Sequence, residues 1–259
     1  DIKRKHIRSL LEHMKTIKKE KWTANNYNHY LKYLSILYRH LVIMETVEYN
    51  PVEKIENQKT VARIRETLTD EERAKVDVHL KENYYTFWRY MQIFFHSGRR
   101  STEVLEVKKE DVRLSEQKFK VLEKKGNGYK EVWAPIKNVA VPLWEEIMNE
   151  AKSGEYLFGH GLKPGDKPTN SHHITRRWRQ HVKEKLNITA DFYSLKHSNT
   201  EDIANSYGID KAQSFVGHAS QNMTRIYATG QSGRDLEALK QIENTFVKAK
   251  PKKSSTKKE

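Results

Sequence analysis

Five residues of this sequence are of types that suit chemistry on an anionic ester. Arg100 stands at a predicted helix start with Glu103 three positions later, and Lys125 stands beside a glycine in a predicted hairpin. His218 follows a glycine, and Tyr227 comes nine residues after it. An arginine binds two anionic oxygens through parallel N–H groups, and a tyrosine phenol, of pKa about 10, becomes a nucleophile where positive charge eases proton loss. The set fits a site that acts on phosphate.

Hydrophobic spacing predicts the elements that must position these residues. Two helices open the chain, one over 2–18 and one after the N-cap Thr23. Asn50-Pro51 breaks the second helix. The stretch 53–66 is polar, charged and without an apolar period, which indicates a linker between two domains.

The second domain is predicted to begin at the capping box Thr69-Asp70-Glu71-Glu72. An aromatic helix over 84–95 follows, and the period then changes to short strands around Gly126-Asn127-Gly128, which predict a hairpin or small sheet within 111–135. Apolar stripes predict further helices after residue 142 and over 171–185, 196–207, 210–215, 221–228 and 234–248. The helix over 171–185 has a core-facing stripe of Ile174, Trp178 and Val182.

The composition indicates an anionic partner. The 259 residues carry 48 Lys+Arg against 34 Asp+Glu, a net charge of +14. Nucleic acid is the commonest polyanion that such an excess binds. An acidic membrane is the alternative, but no apolar run approaches the roughly 18 residues that span a bilayer. The sequence has no cysteine, which excludes disulfides and thiolate metal sites and favours an intracellular location.

In order and spacing, these residues resemble the tyrosine recombinases, the family of phage integrases and site-specific recombinases. Arg100 matches the first catalytic arginine of that family, and Glu103 matches the acidic residue that supports the site. Lys125 matches the hairpin lysine, His218 the histidine of a Gly-His pair, and Tyr227 the nucleophile. The spacing from the Gly-His pair to the tyrosine is the more specific signal, because an arginine box alone is weak.

The resemblance implies DNA strand breakage and rejoining, of the kind that serves integration, excision or resolution. Tyr227 would attack a backbone phosphate and hold the broken strand through a 3′-phosphotyrosyl bond. Arg100 and Lys196 would hold the phosphate while Lys125 protonates the leaving 5′ oxygen. His218 suits either a hydrogen bond to the phosphoryl group or proton transfer. No metal or other cofactor is implied, because the phosphotyrosyl bond conserves the energy of the broken one.

One segment departs from the family pattern. Where the family usually has His-x-x-Arg followed by His, this sequence has Tyr193, Lys196 and His197. Lysine keeps the positive charge but loses the planar fork of arginine. Tyr193 can donate a hydrogen bond but cannot exchange a proton near neutral pH, and His197 occupies a position that is usually supporting. The departure motivates an alternative, a catalytically weak or inactive accessory protein that binds DNA with the recombinase fold. A third interpretation, a type IB topoisomerase-like enzyme, uses the same tyrosine chemistry.

Each residue also has an ordinary interpretation when taken alone. Arg100 and Glu103 could form a helix salt bridge, and Lys125 could lie in a solvated turn. His218 could mark a helix end, and Tyr227 could be half-buried core. The functional interpretation depends on their joint order. Three histidines lack the spacing of a zinc site and are not assigned to metal binding: His172, His173 and His181.

The resemblance implies a mainly α fold with a small antiparallel β-sheet, arranged as a two-domain clamp on double-stranded DNA. Residues 1–60 would form a helical, SAM-like core-binding domain that is truncated at its N-terminus relative to the family. Residues 67–248 would form the α+β catalytic domain, and 249–259 a basic disordered tail. The expected assembly is a homo-oligomer, a tetramer on DNA, with room for accessory DNA-bending proteins. The expected location is the cytoplasm, at the nucleoid when bound to DNA and not at a membrane.

Overall fold

Helices make up more than half of the residues that the structure describes, and a small antiparallel sheet lies near the middle of the chain. The computed structural model describes residues 2–61, 66–125 and 128–217, with Lys125 described in its backbone only. By its internal contacts the chain divides into two units, Asp1–Arg63 and Ile64–Glu259. The predicted fold class, mainly α with a small antiparallel sheet, is confirmed. None of the described helices is long and apolar enough to cross a membrane.

The first unit is built on two helices, α1 (Arg4–Lys18) and α2 (Ala24–Ile43). Thr23 is the N-cap of α2, as predicted, and its hydroxyl accepts a hydrogen bond from the backbone N–H of Asn26 at 3.2 Å. The second helix ends at Ile43, well before the Asn50-Pro51 break that the sequence suggested. Five side chains form the buried core of this unit: Ile7, Leu11, Leu31, Tyr38 and Val52.

Part of the predicted linker is bonded to the first unit. The side chain of Asn28, on α2, exchanges two hydrogen bonds with the backbone of Gln58, at 2.9 and 2.8 Å. Arg4 Nε donates to the carbonyl of Glu53 at 3.0 Å. A polar stretch without apolar period can still be ordered by side-chain-to-backbone hydrogen bonds, and those contacts leave no periodic signal.

The second unit contains eight helices and a three-stranded sheet within its described residues. The strands are antiparallel in the order β1-β2-β3, and β2 and β3 pair from Lys118↔Pro135 to Lys125↔Gly128. The elements are α3 (Asp70–Asn83), α4 (Tyr85–Ser97), α5 (Ser101–Leu105), β1 (Val112–Arg113), β2 (Lys118–Lys125), β3 (Gly128–Pro135), α6 (Val141–Glu150), α7 (Ser171–Trp178), α8 (Glu184–Leu186), α9 (Ser194–Tyr207) and α10 (Ile209–Val216).

An aromatic cluster fixes the start of α9. Phe192 lies 4.7 Å from Phe94 and 5.9 Å from Tyr90, ring centre to ring centre, so that it stacks on α4. Trp178 meets the same ring edge-on at 5.4 Å and donates its indole N–H to the carbonyl of Ala190 at 2.8 Å. Offset and edge-to-face aromatic pairs of this kind each contribute about 0.5–1.5 kcal/mol beyond burial. Tyr193, the next residue, is therefore held at a defined position relative to α4.

The helix predicted over 171–185 is interrupted. α7 passes into a π-helical turn over Arg179–Lys183 before α8. The predicted core stripe is confirmed, since Ile174, Trp178 and Val182 are all buried. These three residues are four positions apart, and a wider turn keeps such spacing on one face where a regular 3.6-residue helix would drift.

Replacing Thr69 with alanine is expected to lower the free energy of unfolding by about 1 kcal/mol. Thr69 accepts from the backbone N–H of Glu72 at 3.2 Å, and the Glu72 carboxylate accepts from the backbone N–H of Thr69 at 2.9 Å, which completes the predicted capping box. Urea denaturation followed by circular dichroism measures the change. Thr60, an exposed threonine outside any helix, is the control, and its alanine variant should change stability by less than about 0.5 kcal/mol. Equal losses in the two variants would contradict the capping role.

Candidate functional site

The site begins at the corner between α4 and α5. Gly98 ends α4 in the left-handed region, with φ of 65°, and Arg100 follows as the N-cap of α5. Glu103 accepts from the backbone N–H of Arg100 at 2.8 Å and from its Nη1 at 2.5 Å. The Glu103 side chain is 7% exposed and that of Arg100 47%. Arg100 therefore forms the helix salt bridge with the buried Glu103 and still keeps about half of its side chain exposed to solvent.

Lys196 lies in the first turn of α9 and is buried, with 3% of its surface exposed. Burial lowers the pKa of Lys196 to about 8, Glu103 opposes that shift, and the charges of Arg100 and Arg99 add to it. Burial by itself lowers the pKa of Arg100, but the hydrogen bond to Glu103 and the charges of Glu103, Tyr193 and Glu123 together outweigh burial, so the net shift of the pKa is upward. These interactions place Arg100, Glu103 and Lys196 in one charged cluster.

Tyr193 and His197 flank that cluster. Tyr193 immediately precedes α9 and is half-buried, and its charge interaction with Arg100 places it on the same side. The His197 ring is buried and meets the Tyr193 ring edge-on at 5.6 Å. Tyr193 and Lys196 therefore both lie within electrostatic range of Arg100, and His197 packs against Tyr193.

The β2–β3 hairpin approaches the same corner. Lys125 is the last residue of β2 and pairs with Gly128 through the backbone. Its neighbours Lys124 and Tyr129 line a groove of about 1020 Å³ together with Arg100 and Glu103. The groove lies between α5 and the hairpin. The end of β2 therefore lines the same groove as Arg100.

Two predicted site residues lie outside the described part of the chain. The description ends at Gly217, one residue before His218 and ten before Tyr227. Gly217 has a φ of 71° and follows directly on α10. The predicted helices over 221–228 and 234–248 and the predicted tail also lie outside the described residues.

Two charged residues of this region were not predicted from the sequence. Arg99 and Glu123 form an ion pair between Nη1 and Oε1, with side chains only 4% and 6% exposed. Arg99 Nη2 also donates to the carbonyl of Phe215, in α10, at 3.2 Å. A signal existed, because Glu123 occupies the position that strand alternation from Phe119 and Val121 assigns to the core. A charge at an inward position requires a buried partner.

One family model and two relatives match most of this chain. A family model described as "Phage integrase family" matches residues 57–234, more than half of the chain. A tyrosine recombinase of Pseudothermotoga lettingae is 27% identical over 247 residues, which cover 93% of this chain and 83% of the relative. One from Thermosipho africanus is 21% identical over 248 residues, which cover 93% and 85%.

The fold is also similar to that of solved integrases. A lambda integrase fragment, solved as a dimer bound to a COC′ core site, superposes with a TM-score of 0.66 at 18% identity, covering 86% of this chain and 81% of that one. A lambda integrase tetramer bound to a Holliday junction superposes with a TM-score of 0.67 at 18% identity, covering 88% and 64%.

Proposed function

The chain belongs to the phage integrase family, and we propose that it is a site-specific recombinase that cleaves and rejoins double-stranded DNA through a 3′-phosphotyrosyl bond on Tyr227. The observation that carries the proposal is the meeting of Arg100 and Lys196. These two cations are 96 positions apart in sequence, yet Arg100 is bonded to Glu103 and Lys196 lies within electrostatic range of both. Arg100 lines a groove, and together with Lys196 it would provide the positive charge that a phosphodiester needs at the moment of attack.

The proposed reaction begins with attack by Tyr227. The Tyr227 phenol loses its proton to a nearby base such as His218, and its oxygen attacks the phosphorus. The bond from phosphorus to the 5′ oxygen breaks, and Lys125 gives that oxygen a proton. Arg100 and Lys196 neutralise the negative charge that builds on the phosphoryl oxygens. Religation is the reverse, with a 5′ hydroxyl attacking the phosphotyrosyl bond.

The remaining predicted residues have supporting roles in this proposal. Glu103 holds Arg100 in place through two hydrogen bonds. Tyr193 supplies a hydrogen bond to the phosphate where the family usually has histidine. His197, buried against Tyr193, orients it.

The assembly on DNA is part of the proposal. Both units would bind the duplex as a clamp, with a core-binding domain over 1–60 and a catalytic domain over 67–248. Strand exchange joins two DNA sites, so several copies of the chain are needed at once. The lambda integrase tetramer on a Holliday junction supports a tetramer here.

A second candidate function is DNA binding without cleavage. It is favoured by one observation, the lysine at position 196, because its compact ammonium replaces a planar fork and is buried enough to lose charge near pH 8. An accessory protein with this site would bind DNA sites and leave strand breakage to another protein.

A two-step experiment separates the candidates. Duplexes that the chain binds are first selected from a pool with randomised sequence, and the selected duplexes are then nicked in one strand and incubated with the chain. A denaturing gel resolves any slowed, protease-sensitive DNA band. A band supports the recombinase, and its absence on tightly bound duplexes establishes the accessory role. Failure to select any duplex would contradict both. Relaxation of a supercoiled plasmid without strand exchange would instead indicate topoisomerase-like activity.

The cleavage rate is expected to fall as the pH rises above about 8, by up to tenfold per pH unit, because Lys196 holds the phosphate only in its charged form. The lowered pKa of Lys196 sets the direction, since its charge is present below pH 8 and lost above it. The charged groups that face it are Arg99, Arg100, Glu103 and Glu123. Single-turnover cleavage from pH 6.5 to 9.5 measures the profile.

The Lys196→Arg variant tests the origin of that fall. Arginine stays protonated throughout this range, so the variant should keep its rate up to about pH 9.5. Lys120→Arg is the control, because Lys120 on β2 pairs with Glu131 on β3 and with Asp111 just before β1, and its pKa is raised. An unchanged fall in Lys196→Arg would assign the titration to another group.

A further inference from the structure

The buried pair of Arg99 and Glu123 connects three parts of the second unit. Arg99 lies at the corner between α4 and α5, next to Arg100. Its Nη1 pairs with Glu123 on β2, and its Nη2 donates to the carbonyl of Phe215 in the last turn of α10. The guanidinium thus joins the arginine corner, the hairpin and the helix that leads to His218.

Two buried charges are an energetically unfavourable way to fill a core. Burying two charges removes their hydration, which their mutual attraction only partly offsets, and apolar side chains of similar volume often give equal or higher stability. Arginine does have a property that an apolar side chain lacks, a rigid fork that bonds a carboxylate with one nitrogen and a carbonyl with another. A cation near the C-terminal carbonyls of a helix is also favourable. The pair therefore fixes geometry better than it adds stability.

Gly217 shows what the pair is packed against. Its φ of 71° lies in the left-handed region, which favours glycine. A Cβ added to Gly217 would lie 2.8 Å from both Arg99 Nη1 and Glu123 Oε1. The ion pair thus packs closely against Gly217, and no larger residue fits there without moving it.

A second glycine closes the same junction from the other side. Gly98, with φ of 65°, lies so close to the Phe215 ring that an added Cβ would be 2.7 Å from its Cδ1. Gly98 packs against Phe215 while Arg99 packs against Gly217. Gly98 and Arg99 of the corner between α4 and α5 therefore interlock with Phe215 and Gly217 at the end of α10.

We propose that Arg99 and Glu123 are positioning residues, which hold the Gly217 turn and so set where the segment with His218 and Tyr227 starts relative to Arg100. The inference rests on the proposed function. A displacement of about 1 Å at a reacting group can lower a rate by about 100-fold, so loss of the pair should slow cleavage without weakening DNA binding.

The test compares two buried arginines. Arg99→Met is the test variant, and Arg89→Met is the matched control, since Arg89 is also buried but pairs with Glu146 and Glu150 between α4 and α6. Duplexes selected for binding are used, with single-turnover cleavage, DNA affinity and thermal unfolding as readouts. Arg99→Met should cleave about 10- to 100-fold more slowly with unchanged affinity. Arg89→Met should lower the unfolding temperature and leave the cleavage rate of the folded protein unchanged.

Glu123 lies two residues before Lys125, so loss of the pair could instead slow cleavage by displacing the hairpin lysine. A modified substrate separates an effect on Lys125 from an effect on the Gly217 turn. A duplex with sulfur in place of the leaving 5′ oxygen needs no proton donor, because a thiol has a pKa of about 8.5. If the pair positions the Gly217 turn, Arg99→Met stays slow on this duplex, while Lys125→Ala recovers. Recovery of Arg99→Met would overturn the inference, as would a normal rate on ordinary DNA.

A partial rescue adds a readout that a merely structural role would not move. Arg99→Lys keeps a charge for Glu123 but has only one nitrogen, so it cannot also bond the Phe215 carbonyl in the same geometry. Its cleavage rate should lie between those of the unmodified chain and Arg99→Met. If the unmodified chain forms no adduct, the proposed function fails and the inference falls with it. If the unmodified chain forms the adduct and Arg99→Met matches its rate, only the inference fails.

Discussion

Replacing Tyr227 with phenylalanine is expected to abolish the covalent protein–DNA adduct, with a loss of at least about 10⁴-fold in cleavage rate. The phenolic oxygen is the atom that bonds to phosphorus in the proposed reaction, and phenylalanine removes that atom while keeping the ring. DNA affinity should stay within about twofold, because one hydroxyl is a small part of a phosphate-dominated interface. Cleavage of a nicked duplex on a denaturing gel and a binding titration measure the two quantities.

The control for this variant is Tyr207→Phe. Tyr207 is an exposed tyrosine at the end of α9, 74% accessible to solvent, and its hydroxyl has no part in the proposed chemistry. Its phenylalanine variant should form the adduct at the normal rate. An adduct that persists in Tyr227→Phe would assign the nucleophile elsewhere, and mass spectrometry of the DNA-linked peptide would then identify it.

Replacing Arg100 with lysine is expected to lower the cleavage rate by about 10²–10³-fold, the cost of removing one preorganised donor from a developing oxyanion. Lysine retains the charge but not the fork, so it cannot bond Glu103 and a phosphoryl oxygen from two nitrogens of one plane. The loss should appear in the single-turnover rate at saturating protein. Affinity for DNA should change little, because the positive charge remains.

Arg113 provides a matched control for Arg100. It forms the same i,i+3 pair with a glutamate, Glu116, at 3.3 Å, but both side chains are about half exposed. Arg113→Lys should leave the cleavage rate within about twofold, since exposed pairs contribute little. If Arg100→Lys behaves like Arg113→Lys, Arg100 is a helix salt bridge and the phosphate site lies elsewhere.

The elements of the fold could be predicted where the signal is local. The caps at Thr23 and Thr69 need only a side chain and a backbone N–H three residues away, so a stretch of four residues is enough to predict them. The hairpin around residues 126–128 follows from turn residues between two alternating runs. The helix over 171–185 was predicted at the correct place, but its π-helical turn was not. Such a turn depends on packing against other elements, which the local sequence does not show.

The candidate site divides in the same way. Arg100, Lys125, His218 and Tyr227 could be selected by type and spacing, and the family match supports the class of protein that this spacing indicated. Their roles stay predictions, and the last two lie outside the described residues. Spacing along the chain carries no information on burial, so it assigned Lys196 a charge but not its lowered pKa of about 8.

The sequence by itself determined the order of helices and hairpin, the positive charge and the residue types at the candidate site. The tertiary structure alone decided that Lys196 lies within electrostatic range of Arg100 and Glu103, and that Arg99 and Glu123 pack against Gly217. The physical reason is range. Capping and alternation act over a few residues, whereas a buried charge is set by groups that only folding brings beside it.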